Sequence, residues 1–315
     1  MATDSLIANY SYKYYGRKKG VSIYTFINEK QSLFHSTVFS SSEREAIYLV
    51  DGLLHNPTPL RRMHATDTHG YTEAVFGVTH LIDVAFAPRF KRVEDQVIYS
   101  FHAKDKYKDK GYRILPSRRI NQKLIEDNWD DILRFIATIK LGKTSASQLF
   151  KRLNSYSKDH PLYKALKEFG RIMKSLHILA YYDDLELRQK IEKQLNRVEL
   201  SNKFSDAVFW DRGKRFYVGT KEEQEKFTLC KTIIQNSIIF WNYLFLTDRL
   251  SQCKNQEDKE EMVASIMRGS VLAWAHINFT GDYDFSKPPS KEFQFNYKKI
   301  KNIKVKKPVL AAEIQ

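Results

Sequence analysis

Two short runs rich in β-branched and aromatic residues, Val21 to Phe26 and Leu33 to Phe39, flank a polar Asn-Glu-Lys-Gln segment. That alternation predicts a β-hairpin. Residues 40–45, Ser-Ser-Ser-Glu-Arg-Glu, then place hydroxyls and acids where a helix start prefers them. A short strand reaching Thr66, a helix after Gly70, a strand at Val84–Ala87 before Pro88 and another at Val97–Phe101 continue the alternation, and the pattern predicts an α/β sheet. From about Asn121 the period changes to that of helices. Residues 121–140, 145–155, 161–182 and 184–210 carry apolar positions at helical spacing, interrupted at Gly142 and Pro161. In 224–249, Phe227, Cys230, Ile234, Ile238, Trp241 and Phe245 fall on one stripe, which predicts a buried core helix without chemistry of its own.

Composition changes this picture in one respect. The 315 residues hold 52 Lys and Arg against 37 Asp and Glu, a formal net charge of +15, so a polyanion is the first partner to test. Ten of the cations lie in 89–119, against four acids, with tyrosines interleaved as in Lys106-Tyr107-Lys108 and Gly111-Tyr112-Arg113. Phosphates need such charges and bases can stack on such rings. Lys151 with Arg152, and Arg171 with Lys174, add cations on predicted helices. Residues 286–315 carry eight lysines and two glutamates after Lys287-Pro288-Pro289, reading either as a tail that follows a nucleic-acid backbone or as a solubilising one. Two cysteines make neither a disulfide framework nor a cysteine zinc site, and point to a reducing, cytoplasmic setting. No apolar signal core opens the sequence, and the most apolar stretch, 237–246, is too short to span a bilayer.

The candidate chemistry is carboxylate chemistry. Asp67, in Met63-His-Ala-Thr-Asp-Thr-His-Gly-Tyr-Thr-Glu73, would sit beyond the carboxyl end of a strand, where α/β sheets place ligands, and would offer hard oxygen to Mg²⁺; the alternative is a cap or turn residue. His64 and His69 beside it lack the spacing of a zinc helix. On the 184–210 helix, Leu187, Ile191, Leu195, Val198 and Asn202 share a face that Glu199 borders, so its carboxylate is either partly inward or paired on the surface with Lys203. Gly142-Lys143-Thr144 lacks the upstream glycine and preceding strand of a phosphate loop.

An ordered series of short motifs resembles the catalytic region of the Tn-three family of transposases. It runs through Tyr14-Tyr-Gly-Arg-Lys-Lys-Gly20, Asp51-Gly-Leu-Leu54, Thr66-Asp-Thr-His-Gly-Tyr-Thr-Glu73, Phe76-Gly77 and Phe86-Ala-Pro-Arg89. It continues with Trp129-Asp-Asp131, Ser145-Ala-Ser147, Glu168-Phe-Gly-Arg171, Leu195-Asn-Arg197 with Glu199, Trp241-Asn242, His276-Ile-Asn278 and Gly281-Asp-Tyr-Asp-Phe285. The resemblance implies a ribonuclease-H-like fold of the retroviral-integrase type, with two Asp and one Glu holding two Mg²⁺ ions. Asp67 matches the second family Asp and Glu199 the family Glu, each as a catalytic residue and metal ligand. Val198 stands where the family usually has Gly.

The family's first Asp belongs to a strand ahead of the Tyr-Tyr-Gly motif, and Asp4 lies too near that motif to match it. The expectation is therefore a core lacking its first strand, a truncated copy that is inactive alone. The implied layout is a partial ribonuclease-H-like core over 1–120, a helical insertion over 121–183, the catalytic-Glu helix and C-terminal helices over 184–285, and the basic tail. The implied function is DNA transposition, by nicking of transposon 3′ ends and strand transfer to target DNA, with the alternative of a non-catalytic DNA-binding remnant or an inhibitor of full-length transposase. The expected partners are DNA, a second copy or full-length transposase, in the cytoplasm at the nucleoid. Arg89, Arg118, Arg152, Arg171 and Lys174 are the expected nucleic-acid contacts.

Overall fold

In the computed structural model, which describes residues 5–12, 17–54, 62–67, 70–155, 160–209, 219–282, 284–286 and 295, the hairpin forms where the alternation places it. β1 (Asn9–Tyr10), β2 (Lys19–Ile27) and β3 (Leu33–Ser40) adjoin in that order, with β1 antiparallel to β2 and Asn9 opposite Gly20. Asn28 closes the turn: its N–H donates to the Ser32 carbonyl at 2.9 Å, and its side-chain oxygen accepts from the Ser32 N–H at 3.0 Å. Asp4, the Tyr14-Tyr-Gly motif, His69 and the basic tail beyond Ser286, apart from Phe295, lie outside the described residues.

After α1 (Ala46–Leu54), a β-α-β unit follows. β4 (Arg62–His64) pairs in parallel with β5 (Val84–Phe86), and α2 (Glu73–Leu81) stands between them in the chain. Thr72 caps α2 by accepting the Val75 N–H on its hydroxyl at 3.3 Å. A second parallel pair, β6 (Tyr99–Ser100) and β7 (Arg118–Arg119), flanks the short α3 (Lys104–Lys108). From there every described element is a helix. These are α4 (Gln122–Asp127), α5 (Trp129–Lys140), α6 (Ala146–Ser155), α7 (Pro161–Asp183), α8 (Leu185–Val208), α9 (Lys221–Gln252) and α10 (Gln256–Arg268). The fold is mixed α/β with small sheets. The single helix expected over 121–140 is two, divided at Asn128, whose side-chain amide donates to the Leu124 carbonyl at 2.9 Å and whose backbone departs from helical angles. No helix among the described residues is long and apolar enough to cross a membrane.

The chain divides into two compact units: Met1–Phe26, Phe34–Asn196 and Tyr217–Lys221 in one, and Ile27–Leu33, Arg197–Phe216 and Glu222–Gln315 in the other. The first is built around Leu49, Val50, Val78, Ile132, Leu166, Ile178 and Ile191, all fully buried. Its principal contact is α2 on α7. Another is α1 on α6, joined by Asp51: one carboxylate oxygen accepts the Ala146 N–H at 2.6 Å and the other the Ser147 N–H at 3.1 Å. Asp51 therefore caps α6 from 95 residues away. Losing a helix cap costs about 1–2 kcal/mol, so Asp51→Ala should lower the melting temperature by roughly 2–8 °C, measured by circular dichroism; an unchanged melt would show that the cap is dispensable.

In the second unit the pattern of α9 departs from expectation. Phe227, Cys230 and Ile234 of the expected core stripe are exposed, whereas Gln224, Thr228, Lys231, Thr232, Gln235 and Asn242 are buried. The centre of α9 is apolar on every side, so periodicity alone does not select a face. The choice follows the polar partners opposite: Gln235 bonds the Ser201 hydroxyl of α8, and the Asn242 amide donates to the Val271 and Ala273 carbonyls at 2.9 and 2.7 Å. Lys231 is buried beside Gln235, its ammonium 3.3 Å from the amide oxygen, and burial pulls its pKa down to about 8. Trp241 stacks on His276, at 5.3 Å between ring centroids.

Candidate carboxylate site

β4 ends at His64, but its pairing continues. The Ala87 N–H donates to the His64 carbonyl at 2.9 Å and the Arg89 N–H to the Thr66 carbonyl at 2.8 Å, so Phe86-Ala-Pro-Arg89 holds the 65–67 segment extended past the strand. The chain then turns at Asp67. Its side-chain oxygen accepts the Gly70 N–H at 3.1 Å and its own carbonyl accepts the same N–H at 3.2 Å, so Asp67 closes the turn with both oxygens. The Asp67 side chain is exposed beyond the carboxyl ends of the two parallel strands. Of the two sequence readings of Asp67, the turn role is the one these bonds describe, and the same turn leaves the carboxylate exposed.

The loop past β5 is pinned from two helices. The His177 Nε2 of α7 lies 3.0 Å from the Pro88 carbonyl, to which it donates, and the Arg89 guanidinium pairs with Glu192 of α8 at 3.1 Å. From β2, Tyr24 faces the same end. Its hydroxyl pKa is raised far above the ordinary tyrosine value, first by burial and then by the negative charges of Glu45 and Asp67. Sequence reading missed Tyr24, Glu45 and Glu192. The alternation of β2 carries a signal for the first, since Tyr24 shares a face with Phe26 and meets its ring edge-on at 4.8 Å.

His64 is no accessible metal ligand. Its ring lies against Phe26 at 5.7 Å and Phe86 at 6.5 Å, its Nε2 is buried without a hydrogen-bond partner among the described residues, and burial lowers its pKa to about 4. The folded state thus favours neutral imidazole while the unfolded chain takes a proton near pH 6.5. Its contribution to stability is full above pH 6.5 and declines as the pH falls toward 4, where it levels off, by about 3 kcal/mol at most. Urea unfolding of the wild type and of His64→Phe at pH 7 and pH 4.5 should show a smaller acid loss in the variant; equal losses would refute this assignment.

Glu199 sits on α8, exposed, and among the described residues it makes no ion pair with Lys203. Neither alternative drawn from spacing, an inward carboxylate or a surface pair, describes it. The buried side of α8 runs through Ile191 and Leu195 in the first unit, then shifts to Ser201 and Phe204 in the second, where Phe204 meets Trp274 and Phe279 at 6.0 and 5.8 Å. That shift leaves Asn202, expected on the buried face, exposed as well. Asp67 belongs to the first unit and Glu199 to the second.

The five expected nucleic-acid contacts fall into two kinds. Arg118 on β7 and Arg152 on α6 are exposed. Arg89 is held by Glu192, Arg171 is paired with Glu168 and lies 4.9 Å over the Tyr99 ring, and Lys174 is buried, 4.0 Å from Glu73 and 5.4 Å over the Tyr71 ring. Burial holds the Lys174 pKa below the usual lysine value, opposed by Glu73. Arg171 and Lys174 come together on one face of α7, whereas Arg89, Arg118 and Arg152 stand on separate elements.

Among the described residues no group of three or more His, Cys, Asp or Glu side chains is positioned to hold a metal ion. The Asp67 and Glu199 carboxylates are both exposed, and carboxylate oxygens are hard donors of the kind Mg²⁺ takes.

The chain is similar to known proteins along most of its length. The chain is 37% identical over 274 residues to the transposase for transposon Tn1546 from Enterococcus faecium, covering 87% of this chain and 27% of that protein. It is 35% identical over 272 residues to the transposase for transposon Tn2501 from Escherichia coli, covering 85% and 27%, and 30% identical over 282 residues to the transposase for transposon gamma-delta from Escherichia coli strain K12, covering 88% and 27%. It therefore spans about a quarter of the length of the curated relatives it matches. The family model described as the Tn3 transposase DDE domain matches residues 1–283, from the hairpin through the β-α-β unit and both carboxylates to the last described turns, and the chain belongs to that family.

Proposed function

We propose that this chain acts in DNA transposition, contributing Asp67 and Glu199 as two carboxylates of a metal-dependent strand-transfer site in a ribonuclease-H-like core. The observation that supports this most is the match to the DDE domain family across residues 1–283, together with a hydrogen-bonded turn that leaves Asp67 exposed beyond the carboxyl end of a parallel strand. The two carboxylates stand in different compact units, so their pairing rests on the resemblance. Two Mg²⁺ ions, when bound by such carboxylates, supply positive charge to both the attacking and the leaving oxygen of an in-line displacement at phosphorus. This chain's own residues do the rest. Asp67 and Glu199 offer the donor oxygens; the Arg89–Glu192 pair and His177 hold the loop beside Asp67; Arg118 and Arg152, both exposed, meet the DNA backbone. The partners on this reading are transposon-end and target DNA, with a second copy or a full-length transposase completing the assembly.

The test is a strand-transfer assay with a labelled transposon end and target DNA, with and without full-length transposase, in Mg²⁺ and in EDTA. Metal-dependent joined product that requires this chain is expected; product equally abundant without it overturns the reading. One observation suits a second reading equally well, a DNA-binding protein without chemistry: the formal net charge of +15 serves binding whether or not catalysis follows. DNA binding that is indifferent to metal, with no joined product under any condition, would establish that alternative.

A further inference from the structure

Between β6 and β7 the chain leaves the first unit's core as an arm, residues 101–119, almost wholly exposed. It holds seven cations, Lys104, Lys106, Lys108, Lys110, Arg113, Arg118 and Arg119, against Asp105 and Asp109. It also holds large apolar side chains in the open: Phe101 is 42% exposed, Tyr112 57% and Ile114 42%. Within the arm, His102, Tyr107 and Tyr112 follow one another with ring centroids 6.4 Å apart at each step.

The base of the arm is rigid. The Ser117 N–H donates to the Ile98 carbonyl at 2.8 Å, the Ile120 N–H to the Ser100 carbonyl at 2.9 Å, and the Arg119 guanidinium to the Phe101 carbonyl at 3.4 Å. Tyr99, at the root, is buried with Ile120 and Ile125, donates its N–H to the Ser175 hydroxyl oxygen at 2.9 Å, and lies under the Arg171 guanidinium. α7 therefore anchors the arm, and Arg171 serves that anchor.

We propose that the 101–119 arm grips a single DNA strand with unpaired bases, the lysines of α3 meeting phosphates and the rings of Phe101 and Tyr112 stacking on bases. Charge alone would suit any polyanion, and a duplex needs nothing more than charge. Exposed rings among those cations add a feature an undistorted duplex cannot use, because its base faces are already stacked and a ring must first kink it; a strand with unpaired bases uses it without that cost. The rigid base and the exposed rings together make a platform whose geometry is set before DNA arrives. The proposal rests on the DNA reading above and assigns to it a contact surface of a particular kind.

Fluorescence anisotropy of this chain with a single-stranded and a duplex oligonucleotide of equal length tests it. The combined variant Phe101→Ala with Tyr112→Ala should bind the single strand roughly tenfold or more weakly, with duplex binding unchanged and Tyr112→Phe as wild type. Lys104→Ala with Lys106→Ala and Lys108→Ala should weaken both and flatten the log–log salt slope by about two for the single strand and by roughly three for the duplex. All these side chains are solvent-facing, and unchanged melting curves would confirm intact folding. If the wild type binds both DNAs and the ring variant loses nothing, the arm proposal is overturned and the DNA reading stands. Binding to neither DNA overturns both, and polyglutamate competing as well as single-stranded DNA overturns the assignment to nucleic acid.

Discussion

Replacing Gly170 with Ala should destabilise the first unit by about 3 kcal/mol or more, lowering its melting temperature by about 10 °C. An alanine in the middle of a helix ordinarily helps, by about 1 kcal/mol relative to glycine. Here the added Cβ would fall 1.6 Å from the Glu73 carbonyl oxygen, because α7 crosses the first turn of α2 at backbone contact. That oxygen belongs to the main chain of a capped helix and cannot swing aside as a side-chain tip can. The whole crossing would have to open, and it is the principal contact of the unit. Gly77, on the α2 side, is a graded control: its Cβ would meet Leu166 O, Phe169 and the Gly170 nitrogen at 3.1–3.3 Å, so Gly77→Ala should cost less than Gly170→Ala. If Gly170→Ala melts at or above the wild type, the crossing is looser than its geometry indicates.

That crossing bears on what the motifs are for. Phe76-Gly77 and Glu168-Phe-Gly-Arg171 read in sequence as two unconnected landmarks, and in the fold they are the two sides of one contact. Asp51 likewise meets Ser145-Ala-Ser147, Phe86-Ala-Pro-Arg89 extends the ladder beside Thr66, and Trp241-Asn242 meets the 271–276 segment. The resemblance rests on these strings, yet most of them fasten the scaffold, and only Asp67 and Glu199 among them carry proposed chemistry. No local pattern announces such pairings, because each joins positions far apart in the chain.

What local pattern does encode was legible. The hairpin, the strand-helix-strand at 62–86 and the helices from Gln122 to Val208 follow from alternation, caps and periodicity. α9 was legible as a helix but not as to its buried face, since apolar residues surround its centre and hydrogen-bonding partners on α8 and at 271–273 decide which side turns inward. Lys174 shows the same limit for charge. Composition counts it with the basic surface, whereas the fold buries it between Glu73 and the Tyr71 ring. The setting of Asp67 was legible from its strand-end position, but the companions Tyr24 and Glu45 arrive from the hairpin and α1 approach, at a distance no motif spans.

On the proposed function, Asp67→Asn is expected to remove strand transfer while leaving the fold intact. Asparagine keeps the side-chain oxygen that accepts the Gly70 N–H, so the turn survives, and the exposed position leaves no cavity. What disappears is the negative charge and with it a hard anionic donor. A catalytic metal ion contributes several kcal/mol to the transition state, so losing its ligand should slow product formation by about 10³-fold. Glu199→Gln should do the same, also without a change in melting. A second measurement separates a lost ligand from a disturbed site. Asp67 is one of the charges that hold the Tyr24 hydroxyl protonated, after burial and Glu45, so its neutralisation should bring the Tyr24 titration down while burial keeps it above the ordinary tyrosine value. Alkaline difference absorbance of wild type, Asp67→Asn and Tyr24→Phe reads that shift directly. A lowered Tyr24 titration with undiminished strand transfer would leave Asp67 in its place beside the hairpin and strip it of the catalytic role.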